Sequence, residues 1–425
     1  MRFKTWAWGL SLATVALLTA CGGGSSSKTA QMRLVNASIG YSSLDMAVNS
    51  ATVTTGVAYA KAGAYASVDT SATGTEVQNS TIGSTLASTT PTLAQGSHYA
   101  LIAYGAAGSV RTTLLQEDQD APATGKSKLL VLNLAPDAGA LDVYITAATD
   151  PLDTATAVAS GIATASGSGY VTLNSGSFRV RLTAAGSKTD IRLDIPAVSL
   201  PSAGTSTLVL TGSTGGVLVN GMQMIQQGDV TNFPNSTARA RLVAAVGSNA
   251  LVSGSIGQTQ LMPTSNAPTI GDYQTVAAGA AGLAVTVNGT AMSLSAPTLA
   301  AGGDYTLMVW GPANAPQLTV LTDDNRLPTT STTAKIRLIN GVASASTGLT
   351  LNVDYSALAS NVVAGTSSAP VTTPATTSSL LTVTSPASTT PIYSLSALAI
   401  QGNGVYTVFA MGDSNGLVGS LRKER

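Results

Sequence analysis

The residues best suited to chemistry are few and far apart. The segment Gly412 to Gly416, GDSNG, fits the G-x-S-x-G pattern of a hydrolase nucleophile. That pattern requires a strand before the serine, a helix after it and a histidine base later in the chain. Only nine residues follow Gly416 and none is histidine. Sister segments from Gly105 (GAAG) and Gly311 (GPAN) carry no serine, so Ser414 reads as a hairpin-turn residue. His98 is the sole histidine, and the sister segments place Asp304 and Val405 at its position. A histidine base or metal ligand needs oriented partners; His98 reads as an exposed turn residue. The S-x-x-K match at 25–28, SSSK, lies in a Gly/Ser-rich stretch that cannot preorganise a site.

Carboxylates do cluster, as Glu117, Asp118 and Asp120 in one stretch and Asp323 with Asp324 in another. Junctions between sandwich domains can supply the roughly six to eight oxygens that calcium takes. These five residues are therefore calcium candidates, against the plainer reading of charge that solvates a linker or blunts a sheet edge. Nothing else calls for a metal or a cofactor. The terminal LRKER, 421–425, reads as a solvated chain end.

Cys21 is the only cysteine, so no internal disulfide can form. Arg2 and Lys4 precede an apolar run from Trp6 to Ala20, the charged start and short hydrophobic region of an export signal. The run is shorter than the roughly 18–20 residues of a membrane-spanning helix. With LTAC at 18–21 and a Gly/Ser stretch after it, the segment resembles a bacterial lipoprotein signal. The resemblance implies that Cys21 is the lipid-bearing first residue of the mature protein. Gly22, rather than Asp, after the cysteine implies the outer membrane. Residues 22–31 then form a tether with a reach of roughly 18 Å.

Composition narrows what these elements can hold. Charged residues make up 9% of the 425, against about 25% in an average soluble domain. With 20 basic and 20 acidic residues, there is no large positive patch of the kind nucleic-acid binding needs. Aromatics are 4%, which predicts thin cores of Val, Leu, Ile and Ala. Low charge also weakens repulsion between copies, so self-association is expected.

The positioning elements repeat. MRLVNAS (32–38), LLVLNLA (129–135), ARLVAAV (240–246) and IRLINGV (336–342) are β-prone openings, three of which carry Asn after the apolar core. A second motif closes the units: LAQGSHYALIAYG (93–105), LAAGGDYTLMVWG (299–311) and IQGNGVYTVFAMG (400–412), with a degenerate LPSAGTSTLVLTG at 200–212. Tyr99, Tyr305 and Tyr406 follow a glycine-bearing turn in each full copy. A period of about 100 residues, with turn signals every eight to twelve, predicts an all-β chain of tandem immunoglobulin-like antiparallel β-sandwiches. The division is a signal at 1–20, a tether at 21–31 and sandwiches at 32–125, 126–235, 236–331 and 332–425. The Ser/Thr-rich stretches DTSATGTEVQNSTIGS in the first unit and AGTSSAPVTTPATTSS in the fourth read as loops or weak edge strands.

LAPDAGALDVYI at 134–145, with SLDMAVN at 43–49 as a weaker copy, resembles the signature of the bacterial domain-of-unknown-function family 4397. The resemblance covers roughly 32–230, with the later units divergent. It implies exported or surface-bound sandwich proteins and brings no catalytic residues with it. The expectation is a non-enzymatic, lipid-anchored envelope protein whose four sandwiches stand in a row, about 100 Å long. They would act as a spacer or as an adhesion and binding array for a protein or glycan partner. The alternative is a carbohydrate- or polymer-binding array, for which the small stock of aromatics (Tyr41, Tyr144, Trp310) is unfavourable.

Overall fold

The structure is a computed structural model describing residues 28–425, apart from 72–73, 248, 281, 343–346 and 414–415. The described residues form strands and turns, with no helix among them. Strand-rich Val, Thr, Leu and Ile alternate with turns at glycine and Asn, which favours sheet throughout. Cys21, the signal segment and Ser414 lie outside the described residues.

Four sandwiches follow one another, each built from two main sheets, with a further two-stranded ladder of Gly279–Ala280 and Thr298–Leu299 in the third. In every first sheet the opening strand lies beside the tyrosine-motif strand, which is followed by a return strand. The opening strands are Thr29–Ser38, Lys126–Asn133, Thr237–Ala244 and Thr333–Val342. Their neighbours are His98–Gly105, Gly204–Gly212, Asp304–Trp310 and Val405–Asp413. The return strands are Arg111–Gln116, Val219–Ile225, Gln317–Asp323 and Gly416–Lys423. The all-β sandwich expectation holds, and one ladder per unit departs from antiparallel pairing. Opening and tyrosine strands run parallel, with Arg33 opposite Ala100, Leu130 opposite Thr207, Arg241 opposite Thr306 and Arg337 opposite Thr407. Between the two the chain crosses to the second sheet and comes back to lay an edge segment antiparallel to the opening strand, such as Ala66–Asp69 in the first unit. It crosses once more before the tyrosine strand, so that the two neighbours run parallel through crossover connections.

The opening strand starts at Thr29, inside the segment read as tether, because Thr29 to Met32 pair with Ala66–Asp69. The stretch read as a loop or weak edge in the first unit contains Thr75–Asn79. That strand sits inside the second sheet, between Ser43–Val48 and Thr85–Thr89. Its Thr75 and Val77 are buried, so alternation carried the signal that composition hid. In the fourth unit the corresponding stretch supplies edge strands at Thr366–Ser367 and Val371–Pro374.

Each sandwich has its own core between its sheets, such as Met32, Leu34, Leu44, Met46 and Leu101 in the first. The first sheets are buried on their other face too. Val35, Ala37 and Ile102 of the first unit pack with Leu134, Val209, Met222 and Met224 of the second. Val243, Ala245 and Met308 of the third pack with Ile339, Phe409 and Met411 of the fourth. The expected row of four is therefore replaced by two face-to-face pairs. A sheet apolar on both sides must be covered on both sides. Nine residues join the strands of paired sandwiches, 117–125 and 324–332, whereas three, 234–236, join the pairs.

Candidate functional site

The signature aspartates hold backbone. Asp142 Oδ1 accepts the N–H of Gly161 at 2.7 Å and its Oδ2 that of Gly186 at 2.8 Å. Asp45 does the same for Gly56 at 2.7 Å. Gly161 and Gly56 have φ of 64° and 66°, and the strand pairing is irregular beside both. A bulge leaves an N–H off the ladder, glycine accepts the positive φ, and the carboxylate supplies the missing acceptor. The asparagines of the opening motif join the two sheets. Asn36, Asn133 and Asn340 are buried and donate to the carbonyls of Val57, Ile162 and Val362, at 3.1, 2.9 and 2.8 Å.

The motif tyrosines are also latches. The Oη atoms of Tyr99, Tyr305 and Tyr406 accept the backbone N–H five residues earlier, from Ala94, Ala300 and Gln401, at 3.0, 2.8 and 3.0 Å. They form a tyrosine corner that fixes the turn to the strand. In the second unit the tyrosine position holds Ser206 and the donor position holds Pro201. Proline has no N–H to give, so both halves of the latch are absent together.

Arginines and acids meet where sandwiches pair. The Arg241 guanidinium of the third unit donates to both carboxylate oxygens of Glu424 in the fourth, at 3.0 and 2.7 Å. Arg337 of the fourth unit pairs with Asp323 of the third at 2.7 Å. Asp323 also accepts from the Tyr273 hydroxyl at 2.5 Å and from Thr306 at 2.6 Å. Arg239 and Arg241 lie over the Tyr273 ring at 4.6 and 4.3 Å. Burial, with the Asp323 carboxylate beside it, holds the Tyr273 phenol well above its ordinary range. Asp304, buried against Arg239 and Asn325, has its carboxyl raised, burial outweighing those partners. In the first pair Arg33 keeps its own unit's Glu117, at 2.8 and 2.5 Å, and reaches the second unit through the carbonyls of Gly228 and Ile225. Tyr65 donates to the same Glu117 at 2.5 Å.

The five calcium candidates are thus dispersed rather than gathered. Glu117 and Asp323 are buried against Arg33 and Arg337, and Asp324 is held by Arg326 and Lys335 at 2.8 and 2.9 Å. Asp118 faces His98 at 3.1 Å, and the Asp120 carbonyl accepts from Lys128 at 2.7 Å. Among the described residues no three His, Cys, Asp or Glu come together as metal ligands. A carboxylate already matched to a guanidinium offers little to a hard cation. His98 begins a strand instead of sitting in an exposed turn, half-buried against Asp118 with its ring edge-on to Tyr65 at 5.3 Å. LRKER is no solvated end either, since Leu421 to Lys423 complete a strand and Glu424 closes the Arg241 pair. Sequence reasoning missed the arginines. Their signal was an Arg at the same place in three openings and an acid one residue beyond three return strands or at their last position.

Two stretches of the chain, 30–144 and 238–348, match the family model described as a domain of unknown function, DUF4397, and together span more than half of it. The chain belongs to the DUF4397 family. The matched stretches differ from the coverage expected over 32–230: they lie in the first and third sandwiches, and each runs on into the opening of the next. No curated protein matches the chain. Among solved structures, a candidate cell-adhesion protein from Bacteroides uniformis is 12% identical, with a TM-score of 0.20, covering 47% of this chain and 98% of that one. The Bacillus anthracis TIE protein is 10% identical, with a TM-score of 0.15, covering 86% of this chain and 65% of that one. Scores this low establish no shared arrangement.

In this DUF4397 chain the Pro-Asp turn of the signature has a separate task. The Asp137 Oδ1 accepts the N–H of Leu327, in the linker between the third and fourth sandwiches, at 2.7 Å. Burial raises its carboxyl. With the Gly215 N–H on the Gly302 carbonyl at 2.8 Å and the Asn325 N–H on that of Gly215 at 3.1 Å, it ties the two pairs together. A cleft of about 960 Å³ opens at this junction, with Tyr104, Arg111, Asp137, Arg326, Lys335 and Asn403 in its walls. Of the aromatics singled out for stacking, Tyr144 is buried and Trp310 packs beside the third-to-fourth interface. Among the described residues the exposed large aromatic is Tyr355, at 88%.

Proposed function

We propose that the protein is a non-enzymatic envelope protein, lipid-anchored through Cys21 at the outer membrane, that presents two double-sandwich blocks as an adhesion or binding surface. One observation carries the non-enzymatic part. Buried Glu117, Asp323 and Asp304 and part-buried Glu424 are each matched to an arginine within or between sandwiches, and buried Asp137 and Asp142 hold backbone N–H groups, which spends them on cohesion instead of proton transfer. Their placement also favours presentation over reach: paired sandwiches make a stiff body and not a long stalk. The anchor rests on the sequence alone, on LTAC after a short apolar run. Membrane fractionation of Cys21→Ser tests it: the variant is expected in the soluble fraction, and retention in the outer membrane would overturn the anchor.

The cleft favours a second reading, carbohydrate binding. Hydroxyls and amides of Ser109, Thr164, Thr329, Ser331, Thr372 and Asn403 line it beside Tyr104 and Arg111, a lining suited to polyhydroxylated ligands. A glycan array probed with the chain is expected to give hits that Tyr104→Ala and Arg111→Ala weaken; an array without hits would remove this reading.

A further inference from the structure

The interface between the third and fourth sandwiches is made of equivalent residues from two copies of one plan. Arg241 and Arg337 stand at the same place in their opening strands, opposite Thr306 and Thr407. Each guanidinium donates to that threonine, at 2.9 and 3.2 Å. Asp323 and Glu424 are likewise equivalent, each following the residue that pairs with the motif tyrosine, Thr322 with Tyr305 and Lys423 with Tyr406. Arg241 reaches Glu424 and Arg337 reaches Asp323, so each unit gives an arginine and receives one. Four residues beyond the arginines, Ala245 and Gly341 meet near the centre. This is the geometry of an isologous interface, in which one patch is complementary to itself.

The first pair does not share it. At the arginine position of the second unit stands Leu130, and at the acid position stands Gln226, bonded to the backbone of Gln119 at 2.9 Å both ways. Arg33 therefore keeps Glu117 within its own unit. The second sandwich can neither give nor receive the exchange.

We infer that the outer face of the opening sheet in the third and fourth sandwiches is a homotypic docking face, whose alternative partner is the same sandwich of a second copy of this chain. The charges do not distinguish the partners. A fourth unit facing another fourth unit would make the Arg337–Glu424 pair twice, with Gly341 against Gly341. Linkage within one chain favours the third-to-fourth pairing by raising its effective concentration. Reversing one charge shifts the balance. In Arg241→Glu the intrachain pairing sets the introduced carboxylate against that of Glu424, while two fourth units remain complementary in charge. In the double variant Arg241→Glu, Glu424→Arg the intrachain pairs are restored and the fourth-to-fourth pairing meets four arginines.

Sedimentation velocity of the full chain over a range of concentrations tests this. Arg241→Glu is expected to shift from the parental species toward a dimer, and the double variant to return to the parental species and parental melting temperature. A single variant that sediments as the parental species at every concentration, whatever its melting temperature, would overturn the inference. So would a double variant as perturbed as the single one. If Arg241→Glu melts too low to sediment intact, Arg241→Ala takes its place, since it leaves Glu424 unpaired within the chain and the fourth-to-fourth pairs unchanged: a dimer supports the docking face, and a species of parental size at every concentration overturns it.

Discussion

Gly341 and Ala245 occupy equivalent positions in consecutive sandwiches and face each other across their interface, so closely that a Cβ on Gly341 would overlap that of Ala245 and lie 3.1 Å from the Met308 sulfur. Two sheets can come this near only where side chains are absent or minimal.

Gly341→Val is therefore expected to lower the melting temperature, at a cost of about 1–3 kcal/mol for overpacking. Exchanging the two residues, as Gly341→Ala with Ala245→Gly, keeps one methyl at the contact and should recover most of the loss. Calorimetry of the three chains checks this, and equal melting of Gly341→Val and the parent would contradict it.

The tyrosine latches predict a graded set. Tyr99→Phe, Tyr305→Phe and Tyr406→Phe each remove the acceptor of one backbone N–H and should cost about 0.5–1.5 kcal/mol. Ser206→Tyr should bring no such gain in the second unit, because Pro201 offers no N–H. Urea unfolding midpoints discriminate the cases.

Asp142→Ala leaves the N–H groups of Gly161 and Gly186 without their acceptor in a part of the second sandwich where Asp142 is buried. A loss of about 1–3 kcal/mol is expected. Amide hydrogen exchange should quicken at Gly161 and Gly186, a local signature that general destabilisation would not produce.

Acid should loosen the hold of Asp324 on the third-to-fourth linker and the fourth sandwich. Burial alone would raise the Asp324 carboxyl, but hydrogen bonds and charge from Arg326 and Lys335 prevail and hold it down at about 2. A carboxyl lower in the folded than in the unfolded chain stabilises the fold above its unfolded value. That contribution is lost as the pH falls from about 4 toward 2. Asp304 and Asp137, raised by burial, act with the opposite sign. Melting curves of Asp324→Asn should accordingly fall less steeply over that interval than those of the parent; identical slopes would contradict the assignment.

The repeat was legible because its strongest marks, the Tyr99, Tyr305 and Tyr406 turns, are local and survive divergence. The pairing of sandwiches was not. In RLVNA and its relatives both faces are apolar, so Leu34, facing its own core, and Val35, facing the next unit, carry the same signal. Arg33, Arg241 and Arg337 look like ordinary surface charge until the acid that meets each is found far along the chain, as with Arg33 and Glu117 at a separation of 84. Arginine at a recurrent strand position beside an otherwise apolar run marks a covered face. The co-occurring replacements Leu130 and Gln226 were the readable trace of a partner relationship.

The doubly covered opening sheet also limits how such a chain can change length. Removing the fourth sandwich alone would leave Val243, Ala245 and Met308 against water, each large apolar side chain forfeiting about 1.5–3 kcal/mol of burial. Removing the third and fourth together would leave each remaining opening sheet covered and would uncover the junction that includes Asp137 and Gly215. Viable shortening or lengthening thus proceeds in steps of two, and the inheritable module is the doublet.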